Sequence, residues 1–141
     1  MSHSTIRKIY ENRLKAWAAA RVPALRIAYQ GVKFEPQTGE TYLKAFTLPA
    51  NVDSQDLEGA HRLYLGIFQV SIVTPAGKGA GAAESIADEL AALFALNLRL
   101  SRDGMAVMVY TPVEPGPGIS EDTTYTVAAS FQYRSDTISA D

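Results

Sequence analysis

The run RLYLGIFQVSIV, residues 62–73, constrains the fold of this chain more than any other segment. It contains no proline and is rich in β-branched and aromatic residues, so it predicts a long β-strand. Gln69 and Ser71 lie inside it. A strand that is buried on both faces of a parallel sheet is apolar almost throughout, and this run is not. The sequence therefore favours an antiparallel setting for the strand.

Two segments with the apolar spacing of an amphipathic helix lie on either side of this strand. In residues 5–20 apolar side chains recur three and four positions apart, and Ser4 or Thr5 is placed to cap the start. Pro23 follows and ends the helix. Residues 81–96 carry a nearly continuous apolar stripe and predict the second helix.

Further strands are predicted at residues 25–30, 41–49, 105–112 and 124–134. The last two are joined by a loop of prolines and glycines with no helix between them, so they are expected to be antiparallel neighbours. The fold class predicted is α+β, with a mainly antiparallel sheet of four to five strands and two α-helices packed on one face.

The whole chain, residues 1–141, is expected to form one domain, because a chain of 141 residues has the length of a typical domain. The polar segment 51–61 is expected to be a mobile loop, and residues 135–141 a frayed tail. The chain has no cysteine, which excludes disulfides and thiolate metal sites. No apolar run approaches the length of a membrane span, so no membrane partner is expected.

Charge is divided unevenly along the chain. Residues 1–33 contain seven Lys and Arg and one acid, whereas residues 34–141 contain six Lys and Arg and fourteen acids. One interpretation is an ordinary solvated surface of mixed charge. The other is a pair of oppositely charged faces that meet between copies of the protein. Specific nucleic-acid recognition is not expected, since the basic segment lacks interleaved glycines and has few aromatic residues.

The segment PAGKGAGAAESIADEL, residues 75–90, raises the possibility of a phosphate site. It fails as a P-loop, because no hydroxyl residue follows the Gly-Lys pair. Gly77, Gly79 and Ala82 do match the dinucleotide pattern G-x-G-x-x-A, so a nucleotide-binding enzyme using this turn is an alternative. The simpler interpretation is that the glycines steer the chain from strand to helix. Glu84 would also repel a phosphate at the start of that helix.

No other residue pattern predicts chemistry. The two histidines are His3, in the expected N-terminal tail, and His61, beside the polar loop. An exposed loop histidine is the ordinary case, and no spacing singles out a pair of carboxylates. We therefore expect no catalytic, cofactor-binding or metal-binding residue, no cofactor, and a protein that is not an enzyme.

The order of features resembles the small tail-terminator proteins of long-tailed, lambda-like bacteriophages over nearly the full length. The resemblance rests on a first helix IRKIYENRLKAWA, a second helix IADELAALF, and two short motifs between them. These motifs are P-x-x-G-x-x-Y-L (Pro36, Gly39, Tyr42, Leu43) and Y-x-G-x-F-x-V (Tyr64, Gly66, Phe68, Val70).

The resemblance implies a structural protein of phage or prophage assembly, with no active-site residue to transfer. It implies a six-membered ring that caps the tail tube and provides the surface where the head docks. The implied partners are other copies of the chain, the tail tube protein and the head–tail connector. The implied location is the bacterial cytoplasm during assembly and then the tube end of the virion tail. Another small head–tail joining or minor tail protein is the alternative within this class.

A ring requires contacts between two different surfaces of neighbouring subunits. The charge division suggests that the basic first helix of one subunit faces acids of the next. The candidate interface residues are Arg7, Lys8, Arg13, Asp53, Asp56, Glu58 and Arg62.

Overall fold

The fold combines two helices with one large sheet. This computed structural model describes residues 3–54 and 61–138, and the side chains of residues 3–50 and 63–135. The helices are α1 (His3–Ala20) and α2 (Gly81–Leu93). The strands are β1 (Arg26–Tyr29), β2 (Tyr42–Ser54), β3 (His61–Pro75), β4 (Arg99–Arg102), β5 (Met105–Val109), β6 (Glu114–Pro115), β7 (Ile119–Ser120) and β8 (Thr124–Ile138).

The strand order in the sheet is β1-β2-β3-β8-β5-β4, and β6 and β7 pair with β8. The predicted α+β class is confirmed. The predicted sheet of four to five mainly antiparallel strands is wrong, because the sheet has eight strands and is mixed. Among the described strands one pairing is parallel, and it joins β1 to β2 with Arg26 opposite Tyr42.

The extra strands and the parallel pairing have local causes. Residues 30–41 separate β1 from β2 and are long enough to carry the chain back to the same end of the sheet, which a parallel pair requires. β4 is the short segment RLSR, whose composition gives little strand signal. β6 and β7 are two residues each and lie in the loop rich in proline and glycine.

Two predicted boundaries also change. β2 continues to Ser54 and β3 begins at His61, so the ends of the expected loop over 51–61 belong to strands. β8 continues to Ile138, which places the first residues of the expected tail in the sheet. Residues 55–60 and 139–141 lie outside the described residues.

The second helix is shorter than the predicted span of 81–96. It ends at Leu93, and the backbone N–H of Phe94 donates to the carbonyl of Leu90 at 2.9 Å. Asn97 then has a positive φ of 68°, a conformation that asparagine tolerates better than most residues and that cannot continue a helix.

One face of the sheet and both helices form the core. The inward side chains of β3 and β8 lie opposite each other in register, with Phe68 facing Phe131. Tyr10 from α1 and Phe94 from the end of α2 complete an aromatic cluster with these two residues. Its ring centroids are 5.1 Å apart for Tyr10–Phe131 and 5.4 Å apart for Tyr10–Phe68. Such separations are typical of favourable aromatic contacts. The cluster therefore joins both helices to the centre of the sheet.

The hydroxyl of Tyr10 is buried in this cluster without a hydrogen-bond partner. Burial of the ring raises the pKa of Tyr10 far above its usual value, so the phenol stays neutral. An unpaired buried hydroxyl destabilises the folded state, so Tyr10→Phe should raise the free energy of unfolding by about 1 kcal/mol. Urea denaturation measures this. The control is Tyr133→Phe, which removes a paired hydroxyl and should lower the same quantity. A Tyr10→Phe protein less stable than the wild type would contradict the packing described.

Candidate assembly surfaces

The glycine turn between β3 and α2 changes the direction of the backbone. Gly77 and Gly79 have positive φ values of 87° and 80°, which glycine adopts without strain. The backbone N–H of Ala76 donates to the carbonyl of Thr123 at 3.0 Å, which fixes the turn to the start of β8. These observations support the interpretation that the glycines steer the chain.

The cavity beside this turn offers little to a nucleotide. It measures about 190 Å³ and is lined by Ala76, Gly77, Gly79, Ala80, Ser120 and Tyr125. Glu84 lies in the first turn of α2, where a phosphate would have to sit. A dinucleotide-binding fold also places parallel strands around its glycine turn, whereas both neighbours of β3 are antiparallel to it. The topology therefore does not match the nucleotide-binding alternative.

The three cations predicted on α1 have different surroundings. Lys8 is exposed, and Arg7 is half-buried. Arg13 donates from Nε to the carbonyl of Leu93 at 2.9 Å, so it holds α1 against the last turn of α2. Cationic side chains commonly bind the free carbonyls at a helix end. Arg13 is thus engaged inside the subunit, Lys8 is exposed, and Arg7 is half-buried with its Nε enclosed.

Three other cations of the basic segment form ion pairs within the chain, including an exposed pair in which Lys33 Nζ lies 3.4 Å from Glu35 Oε1. Arg21 binds Glu89 of α2, with Nη2 2.9 Å from Oε2. Arg26 binds Glu40, with Nη2 2.6 Å from Oε1, and this hydrogen bond lowers the pKa of the Glu40 carboxyl. The net charge of residues 1–33 therefore overstates the positive charge that is available to a partner.

Two of the predicted interface residues outside α1 lie in described strands. Asp53 is in β2 opposite Leu63, and Arg62 is in β3 opposite Ser54. The side chains of Asp53 and Arg62 are outside the described residues, as are Asp56 and Glu58 entirely. The strands thus place Asp53 and Arg62 at one end of the sheet.

His3 has a position that the sequence did not predict. Instead of lying in a tail, it begins α1, and its Nδ1 is 2.7 Å from the hydroxyl of Tyr133. Its ring also packs edge-on against Tyr64, with centroids 5.1 Å apart. Burial lowers the pKa of His3. The sequence pointed to this contact only through the apolar spacing of the first helix, if that pattern is extended from residue 5 back to residue 3.

Neither a metal cluster nor a membrane span is found within residues 3–54 and 61–138. No three His, Asp or Glu side chains of this part of the chain are grouped so that they could hold a metal ion. Neither of its helices is long and apolar enough to cross a bilayer.

Comparisons with known proteins agree with the resemblance seen in the sequence. A solved structure of a protein whose name states no function is 44% identical to this chain, with a TM-score of 0.82 and coverage of 96% of each chain. No curated protein matches significantly. A family model described as phage tail terminator protein matches residues 5–133. Since this match covers nearly the whole chain, the protein belongs to the phage tail terminator family and is a structural protein of phage assembly.

Proposed function

We propose that this protein forms a hexameric ring that caps the tail tube, stops its growth and provides the surface on which the head docks. The observation that carries this proposal is the family match over residues 5–133. The antiparallel neighbours of β3 also support it, because they differ from the parallel strands that surround the glycine turn of a dinucleotide-binding fold. The site of action is then an outer surface of the assembled protein.

The partners follow from this role. One face of the ring contacts the tail tube protein, and the other contacts the head–tail connector. The protein works in the bacterial cytoplasm while the tail is assembled and remains at the tube end of the virion tail. Neither a cofactor nor a specific nucleic-acid sequence takes part.

Contacts between subunits would join two different surfaces. Two cations of α1, the half-buried Arg7 and the exposed Lys8, form one of them, and they face acids at the β2–β3 end of the next subunit. Asp53, Asp56 and Glu58 are the candidate acids, with Arg62 beside them. The support for this arrangement is the charge division between residues 1–33 and 34–141.

Charge reversal tests this contact. The variant Arg7→Glu/Lys8→Glu should weaken self-association by about tenfold or more at low salt, because like charges would then meet across the interface. Arg13 is left unchanged since it holds the carbonyl of Leu93. Sedimentation velocity over a range of protein concentrations gives the association constant, and added salt should reduce the difference from wild type.

The matched control is Arg99→Glu/Arg102→Glu, which changes the net charge equally at exposed positions of β4. It should leave self-association close to the wild-type value. Circular dichroism melts establish that both variants are folded. Rings of the α1 variant that form at wild-type concentration and salt would refute the assignment of Arg7 and Lys8 to the interface.

A further inference from the structure

A cleft lies where the start of α1 meets β2 and the residue that follows β1. It measures about 330 Å³ and is lined by His3, Ser4, Arg7, Gln30, Thr47 and Pro49. We name it the His3 cleft. The first backbone N–H groups of a helix have no partner within the helix and carry partial positive charge. The first turn of α1 contains no acidic side chain that would satisfy them.

Three polar atoms around this cleft are buried without a hydrogen-bond partner. They are His3 Nε2, Arg7 Nε and Thr47 Oγ1. Thr47 is only 6% exposed, belongs to the inward face of β2 and is one of the residues that line the cleft. Native proteins pair nearly all buried polar atoms, and a group of three unpaired atoms at one place points to a missing partner.

The hydrogen-bond network around the cleft supplies donors. Burial raises the pKa of Tyr133 to about 12 and lowers the pKa of His3, so a protonated phenol meets a neutral imidazole. The phenol of Tyr133 can donate to Nδ1 of His3, and in that tautomer the imidazole carries its proton on Nε2 and offers a donor to the cleft. Gln30 is already engaged, because its side-chain oxygen accepts from the backbone N–H of Thr47 at 2.6 Å. The guanidinium of Arg7 can only donate.

We propose that the His3 cleft binds a carboxylate, which in the assembled protein belongs to an acidic side chain of a second copy of this chain. A carboxylate only accepts hydrogen bonds, so it matches three donors, and it is favoured by the charge of Arg7 and by the helix start. His3 and Arg7 are half-buried, so small rotations of their side chains can bring these donors to an incoming group. Glu11, one turn from Arg7, lines a neighbouring cleft that Arg7 also lines. Burial raises the pKa of Glu11 and the charge of Arg7 opposes this rise, so Arg7 would be shared between Glu11 and the incoming carboxylate.

We assign the carboxylate to a second copy because acids outnumber cations in the rest of the chain. Residues 34–141 contain fourteen acids and six cations. This part of the inference rests on the proposed ring, whereas the chemistry of the cleft does not. Two experiments separate the two parts.

The first experiment tests the cleft with acetate. The chain has two histidines, so the imidazole signals of His3 in long-range ¹H–¹⁵N spectra are identified by their loss in His3→Gln. Titration with sodium acetate, against sodium chloride at equal ionic strength, should shift them. Thr47→Val and Arg7→Gln should each weaken the acetate response by about tenfold, as expected for a hydrogen bond to a charged group. Lys15→Gln removes an exposed cation of the same helix outside the cleft and should respond as wild type does.

Thr47→Val keeps the shape of the side chain and removes an unpaired hydroxyl, so its melting temperature should not fall below that of the wild type. This separates loss of binding from loss of folding. No shift of the His3 signals with acetate, or an equal shift in Thr47→Val and Arg7→Gln, would overturn the carboxylate site.

The second experiment tests the source by sedimentation velocity. Thr47→Val and Arg7→Gln should weaken self-association by about tenfold, and replacing chloride by acetate should compete with it. If acetate shifts His3 but these variants associate normally, the carboxylate does not come from a second copy, and that part of the inference is wrong. If the wild-type protein does not associate at all, the proposed ring fails and with it the second-copy source, while the acetate titration still decides the cleft.

Discussion

Phe68→Ala is expected to lower the free energy of unfolding by about 3–5 kcal/mol. Phe68 is fully buried at the centre of the aromatic cluster, and its ring centroid lies 5.7 Å from that of Phe94 and 5.8 Å from that of Phe131. With Tyr10, which also contacts Phe68, these neighbours come from α1, the end of α2 and β8, so the vacated space cannot be closed by moving one of them. The measurement is chemical denaturation of the purified protein, followed by circular dichroism.

The adjacent position gives a matched control. Ile67 points to the opposite face of β3 and is 36% exposed. Ile67→Ala should lower the free energy of unfolding by no more than about 1 kcal/mol, because much of this side chain is already in contact with water. Equal effects at the two positions would mean that the inward face of β3 is wrongly assigned.

Gly66→Ala is expected to lower the free energy of unfolding by about 3 kcal/mol, near the upper end of the usual cost of overpacking. A Cβ at this position would overlap the phenol ring of Tyr133 and would lie 2.8 Å from the carbonyl oxygen of Leu48. Gly66 is opposite Tyr133 in the β3–β8 pairing, and Tyr133 is fully buried. The glycine is therefore required for space between two strands, and denaturant titration measures the loss.

A double-mutant cycle identifies the cause. In a Tyr133→Leu background the ring is gone, so Gly66→Ala should cost at least about 1 kcal/mol less than in the wild type. Gly81→Ala is the control, since no atom outside its own neighbourhood lies within 4 Å of a Cβ there, and it should change stability little. Full additivity in the cycle would show that Tyr133 does not restrict position 66.

The motif Y-x-G-x-F-x-V has a structural explanation. Gly66, Phe68 and Val70 are all buried on the inward face of β3. The spacing of two positions is that of one face of a strand. This motif, one of the two on which the family resemblance rests, therefore reflects side-chain packing in the core.

The parts of the fold that could be predicted from sequence are those with strong periodicity. The alternation of β3 and the helical spacing of α1 reflect burial on one side, and a periodic pattern reports burial directly. The parallel pairing of β1 could not be predicted, because pairing is set by the path of residues 30–41 rather than by the strand's own residues. β4 was missed because a four-residue edge strand with an exposed arginine at each end resembles a loop.

The candidate surface was only partly predictable. The sequence reveals an excess of cations in residues 1–33, but a count of charges does not show which of them have partners inside the subunit. Arg13 and Arg21 both contact α2, more than sixty positions away in sequence. The His3 cleft was missed for the same reason, since it joins His3 to Thr47 across the fold.

Electron microscopy of tails assembled without this protein tests most directly whether it ends the tail tube. Particles from a phage or prophage lacking this gene should contain tubes of uncontrolled length that carry no heads. Supplying the wild-type protein should restore a single tail length and head attachment. Tails of normal, uniform length with heads attached in the absence of the protein would contradict the claim.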